Sequence, residues 1–159
     1  MSAQIKKMAA VRKYVDRPVV RWYYGKTGTG KTLYAYDTFE NIHSCRRLSF
    51  PEAKKYENVI FDNYDTGTNA KRSLNNLMVV LMSMEYDNKI TKNIVIASIK
   101  SAEEIYGGKT ELLRRIHVIK HFGKQNGQMV YRVVKNEKPS NEEPERAILL
   151  DKDDKLDDE

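Results

Sequence analysis

The stretch Gly25-Lys-Thr-Gly-Thr-Gly-Lys-Thr32 carries the densest chemistry in the chain. It matches the spacing G-x-x-x-x-G-K-[ST] in full. Gly25, Gly28 and Gly30 permit backbone angles that L-residues resist, so successive N–H groups can converge on phosphate oxygens. A helix starting behind such a loop adds its dipole. Lys31 has the reach for the β- and γ-phosphates of a nucleoside triphosphate, and the Thr32 hydroxyl suits Mg²⁺. The expected nucleotide-binding residues are therefore Gly25, Lys26, Thr27, Gly28, Thr29, Gly30, Lys31 and Thr32, with ATP and Mg²⁺ as ligands.

Phosphoryl chemistry at such a loop needs an acid at the end of a neighbouring strand to hold the metal. The run "VIFD" supplies Asp62. Asp37 and Glu40 fall instead on the helix expected after the loop. Thr32 and Asp62 are thus the expected metal pair. Many ATP hydrolases place a second carboxylate next, to orient or deprotonate water. Here that position is Asn63, whose amide can orient water but cannot take its proton at neutral pH. Asp65 is the nearest substitute. It also reads as a turn-forming aspartate in "YDTGTN".

These residues need strands and helices to hold them. "VVRWYY", Val19 to Tyr24, is β-branched and aromatic and predicts a strand entering the loop. "KTLYAYDTFENIH" predicts the helix leaving it, with Leu33, Tyr36, Phe39 or Glu40, and His43 at helical spacing. "NVIFD" and "NIVIASI" read as buried parallel strands. Leu74, Leu77, Met78, Leu81 and Met82 repeat at helical intervals and mark the clearest helix. "ELLRRI" reads as a helical turn, "IHVIKHF" as a strand, and "KQNGQMVYRVVK" as a hairpin about Asn126-Gly127. Strands alternating with helices predict an α/β fold with a mainly parallel sheet and a C-terminal hairpin. Ligands in such folds sit at the carboxyl ends of the strands.

The length of 159 residues suits one domain. Residues 1–18 predict a basic helical segment, 19–136 the catalytic body, and 137–159 an acidic, mobile tail. The net charge of +6 divides unevenly: residues 1–136 carry 24 basic against 12 acidic groups, and the tail 4 against 10. A basic body with an acidic tail suggests a polyanionic partner, although a solvated lysine-rich surface explains the charge equally well. One cysteine, Cys45, forbids an intrachain disulfide and fits a reducing, intracellular compartment. No apolar run approaches the roughly 20 residues of a membrane helix, so no membrane partner is expected. His117 and His121 would share a strand face, but without further ligands they read as surface or half-buried histidines.

The order of these motifs resembles the superfamily 3 helicase domain, above all that of replication-associated (Rep) proteins of small circular single-stranded DNA viruses and related plasmids. The resemblance runs from Val19 to Phe122 through the phosphate loop, "VIFDNYD", "IVIASIKSAEEIYG" and "ELLRRIHVIKHF". It implies an AAA+-like, three-layer αβα P-loop fold, ATP hydrolysis, and a ring, commonly hexameric, around single-stranded DNA. Under it Arg114 and Arg115 match an arginine pair, one of which would reach a neighbouring subunit's γ-phosphate. A basic helix face is the plainer reading of the same pair.

Three positions depart from the family pattern. Asn63 stands where a second acid is expected. Ile99 stands where the family carries an asparagine sensor, with Ser98 or Lys100 as replacements. The segment "EYDNKITKN" is short for the DNA-contacting hairpin, leaving Lys89 and Lys92 as candidates. Too few residues precede Val19 for the nickase domain of viral Rep proteins, so the chain is expected to be a helicase-domain fragment or a stand-alone ATPase. A packaging or assembly ATPase and a nucleotide-binding regulator with weakened catalysis are the competing functions.

Overall fold

The computed structural model describes residues 17–65, 68–87, 90–137, 148–149 and 155–157. The N-terminal segment, apart from Arg17 and Pro18, and Lys89 lie outside the described residues. Strands β1 (Val19–Tyr24), β2 (His43–Cys45), β3 (Asn58–Tyr64), β4 (Asn93–Ser98), β5 (Val118–Gln125), β6 (Gln128–Asn136) and β7 (Ile148–Leu149) form one mixed sheet. Their order is β2-β3-β4-β1-β5-β6-β7. Every pairing from β2 to β5 is parallel, β5 and β6 are antiparallel, and β6 and β7 parallel. The fold is therefore α/β with a mostly parallel sheet, as the alternating pattern predicts. The helices are α1 (Lys31–Thr38), α2 (Phe50–Ala53), α3 (Ala70–Tyr86), α4 (Ala102–Tyr106) and α5 (Thr110–Arg115).

The two sheet faces follow from alternation along each strand. Val20, Trp22, Val59, Phe61, Ile94 and Ile96 pack with Leu77, Leu81 and Met84 of α3 and with Leu112 of α5. Tyr23, Ile60, Val95 and Ala97 turn the other way, onto Tyr34 and Ala35 of α1 and Phe122 of β5. Helices thus cover both faces, and the central strands read as continuous apolar runs because neither side meets water. A polar chain crosses their amino ends. Buried Arg21 donates to Asn93 Oδ1 at 2.6 Å, Asn93 Nδ2 to Asn58 Oδ1 at 2.8 Å, and Asn58 Nδ2 to the Glu40 carbonyl at 2.7 Å.

Several sequence expectations need correction. Helix α1 stops at Thr38, because Phe39 is extended and Asn41 adopts a positive φ of 52°. His43 belongs to β2, and Leu33 and Tyr36 are exposed while Tyr34 and Ala35 are buried. The helix buries its 34/35 side because the aromatic residues of β1, β5 and β6 lie there. In α3 Val80 and Met84 complete the buried stripe, and Met82 is exposed. Elements β2, α2 and α4 are too short for periodicity to signal; α4 is set by a Ser101/Glu104 capping box.

The hairpin closes at Asn126-Gly127 as expected, with φ values of 53° and 76°. The acidic tail is not wholly separate from the body. Leu156 is buried against Val130 and sits over Gly123, where a Cβ would come within 2.5 Å of it. The Asp157 carboxylate accepts the turn amides of Asn126 and Gly127 at 2.8 and 3.0 Å. Charge-dominated composition conceals this docking, since it needs only one apolar side chain and one carboxylate.

Candidate nucleotide site

The loop after β1 passes close to β5 because Gly25 allows a backbone contact that no side chain would, while Gly30 approaches the movable side chain of Met129. A Cβ on Gly25 would lie 2.2 Å from the Phe122 carbonyl oxygen, and one on Gly30 2.4 Å from Met129 Sδ. Gly30 caps α1 in the left-handed region, with φ 84° and no side chain bonded to the helix amides. The first turn of α1 holds no acidic residue. Its amides and its dipole therefore face the loop unopposed by a carboxylate of that turn. The Lys26 carbonyl anchors the loop from within, accepting Thr29 Oγ1 at 2.7 Å and Lys31 Nζ at 3.3 Å. The Gly25 amide donates to the Ser98 carbonyl at 3.2 Å, tying the loop to β4. Burial lowers the pKa of Lys31, and the Asp62 carboxylate opposes that shift.

Strand β3 is irregular where the acid sits. Its register against β4 slips between Phe61 and Tyr64, and Asn63 takes a φ of 53°. Such a bulge re-aims side chains, and asparagine tolerates the left-handed region better than most residues. Asp62 is exposed, its Oδ1 accepting Thr32 Oγ1 at 3.0 Å and the Asn63 amide at 2.9 Å. Thr32 and Asp62, 30 positions apart, thus present two oxygens side by side at the mouth of the loop. That is a donor set of the hard-oxygen kind suited to Mg²⁺.

One cavity of 360 Å³ gathers most of the expected site: Thr27, Gly28, Gly30, Lys31, Thr32, Asp62, Asn63 and Ser98, with Leu33 and Ile99. It lies at the carboxyl ends of β1, β3 and β4, where the parallel-sheet rule puts ligands. Buried Ser98 donates to the Tyr64 carbonyl at 3.0 Å and accepts the Lys100 amide at 3.3 Å. Ile99 is exposed beside it. Asp65 does not line this cavity. It lines a neighbouring one of 650 Å³ with Arg46, Arg47 and Arg72, and the two cavities share Asp62 and Asn63. The bulge that brings Asp62 to the loop leaves Asp65 past the strand's end.

No protein-family model matches this chain. No curated protein matches it.

The arginine pair and Lys92 occupy the other end of the sheet. Arg114 and Arg115 line a cavity of 220 Å³ with Arg17, Pro18, Val20, Glu85 and His117, at the amino end of β1. A six-residue strand separates that end from the Gly25–Thr32 loop, a distance on the order of 20 Å. Arg114 is exposed and only loosely paired with Glu111, at 3.9 Å. Arg115 is held by Glu85, which also pairs with Arg17 at 2.9 Å. Lys92 is exposed and 3.5 Å from Glu57. Between α3 and β4 no hairpin occurs among the described residues. The two histidines of "HVIKH" have separate duties. His117 precedes β5 and its Nδ1 accepts the Val20 amide at 2.9 Å, whereas His121 stacks on Tyr24 at 4.6 Å.

One cluster escaped the reading of the sequence. His43, Cys45 and Glu52 offer ligand atoms within 4.8 Å of one another. The visible signal was "HSC", which places His43 and Cys45 on one face if the triplet is a strand.

Proposed function

We propose that the chain is an ATP-hydrolysing P-loop domain with an AAA+-like αβα fold, acting as a superfamily 3-type DNA helicase in the replication of small circular DNA. One observation carries the reading: Thr32 Oγ1 lies 3.0 Å from Asp62 Oδ1 at the mouth of the Gly25–Thr32 loop. The loop alone is a general phosphate cradle. An acid from a separate strand meeting its threonine gives the cradle a metal site as well.

Each side chain then has a task. The loop and α1 amides hold phosphate oxygens, and Lys31 neutralises charge on the β- and γ-groups. Thr32 and Asp62 would hold Mg²⁺, which supplies further charge neutralisation across the same phosphates. Asn63 orients the attacking water. Arg114, exposed and loosely paired, is the better member of the pair to reach a neighbouring subunit, since Arg115 is engaged within its own chain. At the opposite sheet end it serves a second subunit's site and not its own. A homo-oligomeric ring, hexameric under the resemblance, provides that contact. Arg46, Arg47 and Arg72 add positive charge beside the nucleotide cavity and suit a single-stranded DNA backbone.

ATP turnover measured with and without single-stranded DNA, alongside particle mass, tests the proposal. The parent should hydrolyse ATP, respond to DNA and assemble with ATP, and Lys31→Ala should lose turnover with its thermal midpoint unchanged. A Lys31→Ala chain that turns over like the parent overturns the phosphate-loop assignment. A second reading, a nucleotide-binding regulator with weakened catalysis, is favoured by Asn63 and by the position of Asp65 outside the cavity. Tight ATP binding without turnover decides for it.

A further inference from the structure

We propose a second, separate metal site at the sheet's β2 edge, in which His43 Nε2, Cys45 Sγ and a Glu52 carboxylate oxygen bind a Zn²⁺-class divalent cation. The three atoms converge from two adjoining elements. His43 and Cys45 are alternate residues of β2 and share a face. Glu52 comes from α2, which follows directly. All three ligand atoms lie within 4.8 Å of one another, and His43 Nε2 is 2.9 Å from Glu52 Oε1.

The donors are already held in place. The His43 ring stacks on Tyr56 at 3.7 Å with the planes 8° apart, which fixes the direction of Nε2. The single hydroxyl proton of buried Thr91 is shared between the carbonyls of Ala53 and Tyr56, at 3.0 and 2.6 Å, and so pins the end of α2 and the Tyr56 platform together. Cys45 is buried, while His43 and Glu52 remain partly exposed. One ligand is thus sheltered and two meet water.

The chemistry of the set selects the ion. Metal–ligand lengths of roughly 2.0–2.3 Å in a tetrahedron put neighbouring ligand atoms about 3.3–3.7 Å apart. To reach it, the 2.9 Å His43–Glu52 pair opens slightly and the wider separations, all within 4.8 Å, close. One nitrogen, one thiolate and one carboxylate suit Zn²⁺ or Co²⁺, whereas Mg²⁺ and Ca²⁺ prefer oxygen alone. On binding, the Cys45 S–H bond breaks and its proton leaves to solvent, the Nε2 proton that His43 directs at Glu52 is lost or taken up at Nδ1, and the freed sulfur and nitrogen lone pairs form the metal bonds. The fourth position takes water. A cation here ties the edge strand β2 to α2 and fixes Arg46 and Arg47, the next residues in the chain, at the cavity they share with Asp62.

A plain His43–Glu52 ion pair is the rival account, and cobalt distinguishes them. Cys45 is the sole cysteine, so any thiolate-to-cobalt charge-transfer band must come from it. The full chain, reduced and stripped with EDTA, is titrated with Co²⁺ and then with Zn²⁺. The expected result is a near-ultraviolet band saturating at one equivalent, erased by Zn²⁺, and absent in Cys45→Ser. Cobalt at Thr32 and Asp62 has oxygen ligands and gives no such band, so the nucleotide site does not confuse the readout. His43→Gln and Glu52→Gln, both at partly exposed positions, should each weaken Co²⁺ affinity at least tenfold and spare the fold should Cys45→Ser not fold. No charge-transfer band at saturating Co²⁺ in the parent overturns the site. Unchanged affinity in His43→Gln or in Glu52→Gln overturns the three-donor assignment.

Discussion

Under the proposed ATP hydrolysis Asn63 sits where a proton acceptor is wanted, and its backbone is unusual as well. Its φ of 53° restricts what can replace it. Aspartate tolerates that region nearly as well as asparagine, while longer or β-branched residues do not. Asn63→Asp is therefore the informative substitution. It should raise ATP turnover roughly 100-fold, at the low end of the range for a placed general base, with nucleotide affinity nearly unchanged. Single-turnover hydrolysis beside an equilibrium binding assay checks this. An unchanged rate in Asn63→Asp, together with loss of turnover in Asp65→Ala, would move the catalytic carboxylate into the neighbouring cavity. Lys31 offers the sharper contrast: Lys31→Ala should lose turnover while its thermal midpoint stays with the parent's, because its amine makes an exposed bond to a loop carbonyl.

Two contacts between elements are open to direct test. His117 bridges β1 and β5, its backbone amide donating to Val20 and its Nδ1 accepting the Val20 amide. That acceptor exists only in the neutral ring. Burial lowers the His117 pKa below its ordinary 6.5, and Lys135 lowers it further, with Arg21 adding to them against Glu137 and Glu85. For a histidine shifted down, the unfolded chain takes up the proton first. The contribution to stability is full above about pH 6.5 and is lost as pH falls through the folded value. Thermal midpoints between about pH 5 and 7.5 should drop more steeply in the parent than in His117→Asn, whose amide oxygen accepts the same bond without titrating. Parallel profiles would remove His117 from the account. At the other edge, Leu156 fills the space over Gly123. Leu156→Ala should cost about 2 kcal/mol, the lower end for a buried leucine, measured by denaturant unfolding. A change under about 0.5 kcal/mol would mean that the tail contributes no packing.

At the scale of the whole molecule, the Gly25–Thr32 loop and the arginine pair lie at opposite ends of the strands. One chain cannot bring them together, but neighbours in a ring can. Arg114→Ala should bind ATP and fail to hydrolyse it, and mixing it with Lys31→Ala should restore part of the activity. In mixed rings an intact loop meets an intact Arg114 at some interfaces, so recovered turnover at constant total protein is the readout. Mixed rings that assemble and stay inactive would remove the in-trans role. Arg115→Ala should behave differently and lower the thermal midpoint, because Arg115 holds Glu85 from a side chain only 20% exposed.

The Gly25–Thr32 loop between a strand and a helix was legible in the sequence, since its glycines and the patterns on either side occupy consecutive positions that residue types alone define. The parallel core strands and the hairpin at Asn126-Gly127 were legible for a similar reason: continuous apolar runs and a two-residue turn are local signals. What tertiary structure decided was everything that depends on which face or which end. Leu33 and Tyr36 looked like the buried side of α1, but the aromatic cluster of β1, β5 and β6 drew Tyr34 and Ala35 inward instead. Asp65 looked close enough to replace a missing acid, but a one-residue bulge in β3 sent it to another cavity. The arginine pair read as reaching a neighbouring subunit's phosphate, and strand direction places it at the sheet end away from its own chain's loop. His43, Cys45 and Glu52 were spread over ten positions, too loosely for spacing to mark, and met only because a three-residue strand turns into a one-turn helix. Sequence spacing records neighbours along a backbone; packing selects neighbours across it, and that selection follows from the summed burial of many side chains, which no single motif contains.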